Sequence, residues 1–223
     1  MSDILSVRGE PIFDERIVKI ESHTYNPYAN TIFDHSDEIR IPIQQQDLYT
    51  LPCESYIYVE GRVRLPEKSE STSSDPIIVL TNNCAAFMFD EIRYELDGVE
   101  IDRNRNVGIT STIKNYISLT EENSKILKNA GWDLKSNSSV SGEFNFCIPL
   151  STLLGFCEDY KRVIINARHE LILIRARNDN NCMFTSVEKT PLIDLFKIQW
   201  RMPHVAQCCQ TGRFSPHAPG RAQ

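Results

Sequence analysis

Histidine, cysteine and clustered acidic side chains are where any chemistry in this chain would begin. Its five histidines stand at positions 23, 35, 169, 204 and 217, none at metal-ligand spacing from a second histidine or a cysteine. His169 beside Glu170 is the one suggestive pair, yet neighbours on a strand point to opposite faces. The seven cysteines, at 53, 84, 147, 157, 182, 208 and 209, are odd in number, irregular in spacing and free of any C-x-x-C pair. Cys147 or Cys157 served by His169 would make a thiol hydrolase. Nothing in the adjoining sequence would lower either thiol's pKa, so both read as buried free thiols. Asp97, Glu100 and Asp102 form an acidic group that could attract calcium, but their spacing fits no calcium loop. Asp97 is already explained by a turn, and Asn178 to Asn181 reads as a turn more than a ligand cage. Gly98, Gly108 and Gly131 stand alone, so no phosphate-binding loop is formed. The residues therefore point away from an enzyme, with no catalytic, cofactor or metal residue to nominate.

The elements that would have to position such residues belong to an all-β chain. Its 223 residues suit one sandwich or barrel, and 41% apolar with 9% aromatic content supplies a core. Lys and Arg total 24 against 30 Asp and Glu, a net charge of −6 that argues against direct nucleic-acid binding. The first residues lack the basic and apolar pattern of a signal peptide, and no apolar run approaches the ~18 residues of a membrane span.

From Glu54 to Leu65, Ile57, Val59, Val63 and Leu65 share one face with Gly61, while Tyr56, Tyr58, Glu60, Arg62 and Arg64 share the other. That alternation predicts a long strand with one buried and one wetted face. Ser36 to Ile43 repeats it, with Pro42 confined to an edge or strand end. Arg16 to Ser22 is a weaker strand on Val18 and Ile20, and residues 68–75 form a loop before a short strand, Pro76 to Leu80. Phe87 to Ile101 is a hairpin turned by Asp97-Gly98, which suits the two positive-φ positions of a type I′ turn. Between Asn106 and Ala130, Ile113, Tyr116 and Ile117 recur at helical spacing, Thr120 is a helix N-cap and Gly131 a stop.

Residues 135–141 read as a polar loop. Strands resume at Gly142 to Leu150, Arg162 to Asn166 and Glu170 to Arg175, with Ser151 to Phe156 a short turn or a single helical turn. Leu171 to Ile174 is apolar on both faces and predicts a central strand. Leu192 to Arg201 is the last strand. About nine or ten strands with polar breaks every ten or so residues predict a single jelly-roll β-sandwich with a short helical insertion. The expected organisation is an N-terminal arm over 1–13, the sandwich over 14–203 and a disordered, non-native tail over 204–223, which has no acid and no alternation.

Several runs carry a resemblance. They are Asp37-Glu38-Ile39-Arg40-Ile41-Pro42-Ile43, Ala86-Phe87-Met88-Phe89-Asp90-Glu91-Ile92-Arg93-Tyr94-Glu95-Leu96-Asp97-Gly98-Val99-Glu100-Ile101-Asp102, Phe144-Asn145-Phe146-Cys147-Ile148-Pro149-Leu150, Leu154-Gly155-Phe156-Cys157-Glu158-Asp159-Tyr160 and Trp200-Arg201-Met202-Pro203. Together they resemble the first half of the double jelly-roll major capsid proteins encoded by virus-like elements of the Polinton or adintovirus kind. The resemblance implies a structural protein whose partners are its own copies, three chains to a pseudo-hexagonal capsomer, and other capsid proteins. It implies no metal, cofactor or catalytic residue, and a virion-like particle if assembled, otherwise the host cytoplasm or nucleus. The chain departs from the pattern after Pro203, where a second jelly roll should begin. A truncated or endogenised copy is the expectation, with an apolar surface left exposed. Two other classes compete: a sandwich binding carbohydrate through Asp97, Asp102 and the Asn178 loop, and the thiol hydrolase above.

Overall fold

Two antiparallel sheets face each other across one core in the computed structural model, which describes residues 17–29, 32–44, 49–64, 78–132, 142–185 and 191–207. In chain order the first half comprises β1 (Ile17–Tyr25), β2 (Glu38–Ile43), β3 (Tyr49–Thr50), a 3-10 turn (Pro52–Glu54), β4 (Tyr56–Arg64), β5 (Ile78–Leu80) and α1 (Cys84–Phe87). Then come the hairpin β6 (Phe89–Leu96) and β7 (Val99–Arg105), and the helices α2 (Val107–Ser118) and α3 (Glu121–Ile126). The second half holds β8 (Gly142–Pro149), α4 (Leu150–Leu153), α5 (Gly155–Asp159), β9 (Ile164–Ile165), β10 (His169–Arg175), β11 (Met183–Thr185) and β12 (Leu192–Gln207). One sheet runs β8-β4-β12-β3-β9 with β1 added along β12, and the other runs β2-β10-β6-β7. β5 and β11 make a separate two-stranded ribbon. This is an all-β jelly-roll sandwich with short helices.

Period-two patterning sets which side chains meet. Ile57, Val59 and Val63 of β4 are buried with Ile148 of β8 and Ile198 and Trp200 of β12, against Ile39, Ile41, Ile92, Tyr94, Leu171 and Leu173 of the other sheet. Gly61 keeps step with them because there is no room for a side chain. A Cβ there would stand 2.7 Å from the Asp194 carbonyl oxygen and 2.9 Å from the Phe144 ring. β10 is central, hydrogen-bonded to β2 and β6, and β2 is an edge, which is where Pro42 costs no ladder bond. The hairpin turns on Asp97 at φ 50° and Gly98 at φ 80°, as the dipeptide requires.

Four features differ from the sequence expectations. The last strand does not end near Arg201: β12 runs to Gln207, and residues 200–207 pair with β1, so His204 and Val205 are buried in a ladder instead of starting a tail. The boundary expected at Pro203 moves accordingly. β3 and β11 carry no alternation long enough to be read, and pair through neighbours distant in sequence. β7 continues through the polar run to Arg105. The fourth is the orientation of α2. Val107, Gly108, Ser111 and Asn115 face inward, while Ile113, Tyr116 and Ile117, the residues that marked it as a helix, face out together with Ile109. The arm at 1–13, the loops at 68–75 and 135–141 and the tail from 208 lie outside the described residues.

Candidate assembly surfaces

His169, at the start of β10, is buried in a hydrogen-bond chain whose direction the donors dictate. Thr50 Oγ1 donates to the Ile164 carbonyl at 3.1 Å, so its one proton is used. His169 Nε2 therefore donates to Thr50 Oγ1 at 2.9 Å, and the Tyr94 hydroxyl donates to Nδ1 at 2.6 Å. The ring is neutral, and burial, with repulsion from His204, lowers its pKa to about 4. Burial likewise raises the Tyr94 hydroxyl. With both ring nitrogens engaged, His169 has no position left to take a proton from a thiol. Cys157 is buried, and loss of hydration, then Asp102, raises its thiol to about 12. Burial raises Cys84 to about 12 and raises Cys182 as well. Cys147 lines a different place, an apolar depression of about 300 Å³ with Cys53, Glu54, Tyr56 and Pro149. The thiol–imidazole pair is not assembled.

The acidic group is taken apart by the fold. Asp97 Oδ1 accepts from the Arg168 amide at 2.8 Å, latching the hairpin turn to the approach to β10. Asp102 Oδ2 accepts from the Phe156 amide at 2.8 Å, tying β7 to α5, and Glu100 pairs with Arg103 at 2.5 Å. Among the described residues no group of three or more His, Cys, Asp or Glu side chains could hold a metal ion. The Asn178 loop is organised by Asp179, fully buried beside Arg175. It also accepts from the Ile193 amide at 3.0 Å and pairs with His35 at 3.1 Å. Arg175 Nη1 donates to the Met88 carbonyl at 2.8 Å. One charged pair thus joins β10, its following loop and the start of β12, which sequence spacing could not reveal. Asn178 borders a cavity of about 150 Å³ with Phe87, Phe89, Asn106 and Arg177, small beside the ~300 Å³ or more that a ligand site needs. Beside it lies an open depression of about 620 Å³ that is lined by Glu91, Arg105 and Arg177 and carries no aromatic ring. Neither includes Asp97 or Asp102, so the three parts expected to build a carbohydrate site do not converge.

The outer faces are more informative. On the β2-β10-β6-β7 sheet, Arg93 forms ion pairs with Glu38 at 3.4 Å and Glu91 at 2.9 Å, Arg40 reaches Glu170 at 3.2 Å, and Arg105 reaches Glu91 at 3.1 Å. Charges of both signs alternate there, which keeps this face wetted and blocks casual strand-on-strand docking. On the other sheet Arg201 lies 4.7 Å from the Tyr58 ring centroid and 5.8 Å from that of Tyr56, with Lys197 5.7 Å from Tyr58.

The helical insertion is unlike either. Gly108 lies so close to Phe87 that a Cβ would stand 2.2 Å from its ring, and Asn83 Nδ2 donates to Ser111 Oγ and Thr112 Oγ1 at 2.8 Å each. Small and polar residues therefore bring α2 tightly onto α1. Its apolar side is left in solvent: Ile109 is 53% exposed, Ile113 56%, Tyr116 60% and Ile117 81%. Lys114 is held off this stripe by Glu158 at 2.6 Å and the Ser151 carbonyl at 2.8 Å. A contiguous uncharged ridge is the kind of surface that marks an interaction site. The i, i+4 spacing was visible in the sequence, but it also fits a helix facing the core.

A family model of the double jelly-roll-like domain matches residues 78–210. No curated protein matches the sequence. Among solved structures, PBCV-1 VP54, fitted into a cryo-EM reconstruction of the virophage Sputnik, superposes with a TM-score of 0.57 at 12% identity over 90% of this chain and 45% of its own. The Faustovirus major capsid protein gives 0.51 at 10% identity over 94% and 57%. The Sputnik virophage structure gives 0.52 at 6% identity over 94% and 52%. At such identities the shared property is the fold, and this chain spans about half the length of each of these structures.

Proposed function

The chain belongs to the double jelly-roll-like domain family, and from that premise we propose that it is a structural, capsid-type subunit that acts through its surfaces and not through catalysis. Copies of the chain associate with one another and with other capsid proteins, in the trimeric capsomer arrangement its resemblance implies, and the assembled form resides in a virion-like particle. The observation that carries this reading is the outward apolar ridge of α2. A sandwich whose helix turns its isoleucines to solvent is built to have that ridge covered by a neighbour. The buried hydrogen-bond chain through Thr50, His169 and Tyr94 supports the same reading, because its polar atoms stabilise the fold and reach no surface.

The test is sedimentation velocity of the purified chain over a concentration series, alone and mixed with a separately produced second jelly-roll domain, with electron microscopy of any large species. Trimers or larger ring-like assemblies are the expected result. A chain that stays monomeric under every condition, including the mixture, overturns the reading.

A further inference from the structure

β1 is an edge strand of its sheet, hydrogen-bonded along residues 200–207 of β12, which also pairs with β4 and β3. Ile17 is 42% exposed, Val18 63% and Ile20 53%, and among the described residues β12 is the strand it pairs with. Its other edge offers backbone donors and acceptors to any strand that arrives, with apolar side chains beside them. Lys19 and Glu21 flank Ile20 on one face, both half-exposed, with Lys19 Nζ 2.7 Å from Glu21 Oε1.

We propose that this edge pairs with the same edge of a second copy, antiparallel and centred on Ile20. The charge pattern selects that occupant. In an antiparallel pair centred on one residue, positions equidistant from it stand opposite, so Lys19 faces Glu21 of the second copy and Glu21 faces Lys19. The two intrachain pairs interleave into a square of alternating charge, while Ile20 meets Ile20. Opposite charges directly across a strand pair favour association and like charges oppose it. A two-fold axis at Ile20 makes the Lys19–Glu21 contact twice and the Ile20–Ile20 contact once on the axis, as an isologous interface requires. A bulge between Ile17 and Lys19 bends the beginning of the strand, so the pairing-competent stretch is short and the dimer is weak. It would join two copies into one continuous sheet through β12, β1 and their counterparts. The proposal uses exposure and register alone and stands whether or not the chain builds a shell.

The experiment is analytical ultracentrifugation of the full chain from micromolar to near-millimolar concentration. Lys19→Glu places Glu opposite Glu, and Glu21→Lys places Lys opposite Lys; each is expected to weaken dimerisation at least tenfold. The double variant Lys19→Glu/Glu21→Lys restores opposite charges and is expected to recover the parent's association. These positions are exposed, and unchanged circular dichroism confirms folding. A parent chain that is monomeric throughout, single reversals without effect, or a double variant that fails to recover would each overturn the proposal. So would an association abolished by Ile113→Lys on α2 and indifferent to Lys19→Glu, even though that result would support the capsid-type reading.

Discussion

Tyr94 and His169, 75 positions apart in sequence, are joined by a 2.6 Å hydrogen bond in which the phenol donates to Nδ1. The bond crosses between neighbouring strands β6 and β10, and the imidazole passes the chain on to Thr50 of β3 in the facing sheet. A polar tie thus runs through an otherwise apolar core, with Trp200 packed edge-on to both rings. Tyr94→Phe would leave Nδ1 buried without a donor. An unsatisfied buried acceptor costs ~1–3 kcal/mol, so urea unfolding of the variant should show a loss of that size. A Tyr94→Phe protein as stable as the parent would remove this tie from the account.

The same ring sets an acid response. In the unfolded chain a histidine titrates near 6.5, whereas His169 in the fold lies at about 4, so the native state prefers the neutral ring. Its stabilisation is fully present above pH 6.5 and is lost as pH falls toward 4, up to on the order of 3 kcal/mol. His204 is shifted the same way, to about 4, by burial and then by His23, whose ring centroid is 4.3 Å away. His169→Gln should be less stable than the parent at pH 7 but lose less between pH 6.5 and 4. Parallel stability–pH curves for the two proteins would contradict this.

Asp179 supplies the counter-charge to a fully buried guanidinium. Asp179→Ala strands Arg175 without it and should cost ~3–5 kcal/mol, whereas replacing both partners by apolar residues of similar volume should recover most of that loss. Thermal melts of the single and double variants measure the difference.

Gly61→Ala puts a methyl within 3 Å of the Asp194 carbonyl, Leu195 and Phe144, which lie on the two flanking strands β12 and β8 that cannot both withdraw. Overpacking of this kind costs ~1–3 kcal/mol and should shift the urea midpoint with little change in slope.

Ile113→Lys and Ile117→Lys act on solvent-exposed side chains and should alter monomer stability by no more than ~0.5 kcal/mol. If α2 is an assembly surface, both should sharply reduce sedimenting oligomers. A large fall in melting temperature would instead mean that the ridge is packed within the chain.

Much of this was legible in the residues themselves. Ile57, Val59 and Val63 alternate with polar neighbours and so specify a half-buried strand, Leu171 to Ile174 specifies a central one, and Asp97-Gly98 specifies its turn. Thr120 caps α3 through the Asn123 amide as its type suggests. Local pattern suffices in these places because the information lies within one element.

Other features were decided only when distant elements met. Periodicity showed that α2 has an apolar side but not whether anything covers it, and tight seating of Gly108 and Ser111 on α1 turned that side outward. His204 was placed in a tail by its composition, yet register with β1 and β3 buries it beside Tyr25, whose hydroxyl lies 2.9 Å from Nε2. The acids at 97, 100 and 102 are close in sequence but are drawn to three different partners. The sequence by itself determined the longer strands, β4 and β10 among them, and the turn between β6 and β7, because those are local patterns. The tertiary structure alone decided which apolar faces find a partner inside the chain and which remain at the surface for another molecule, because burial depends on what the register brings opposite.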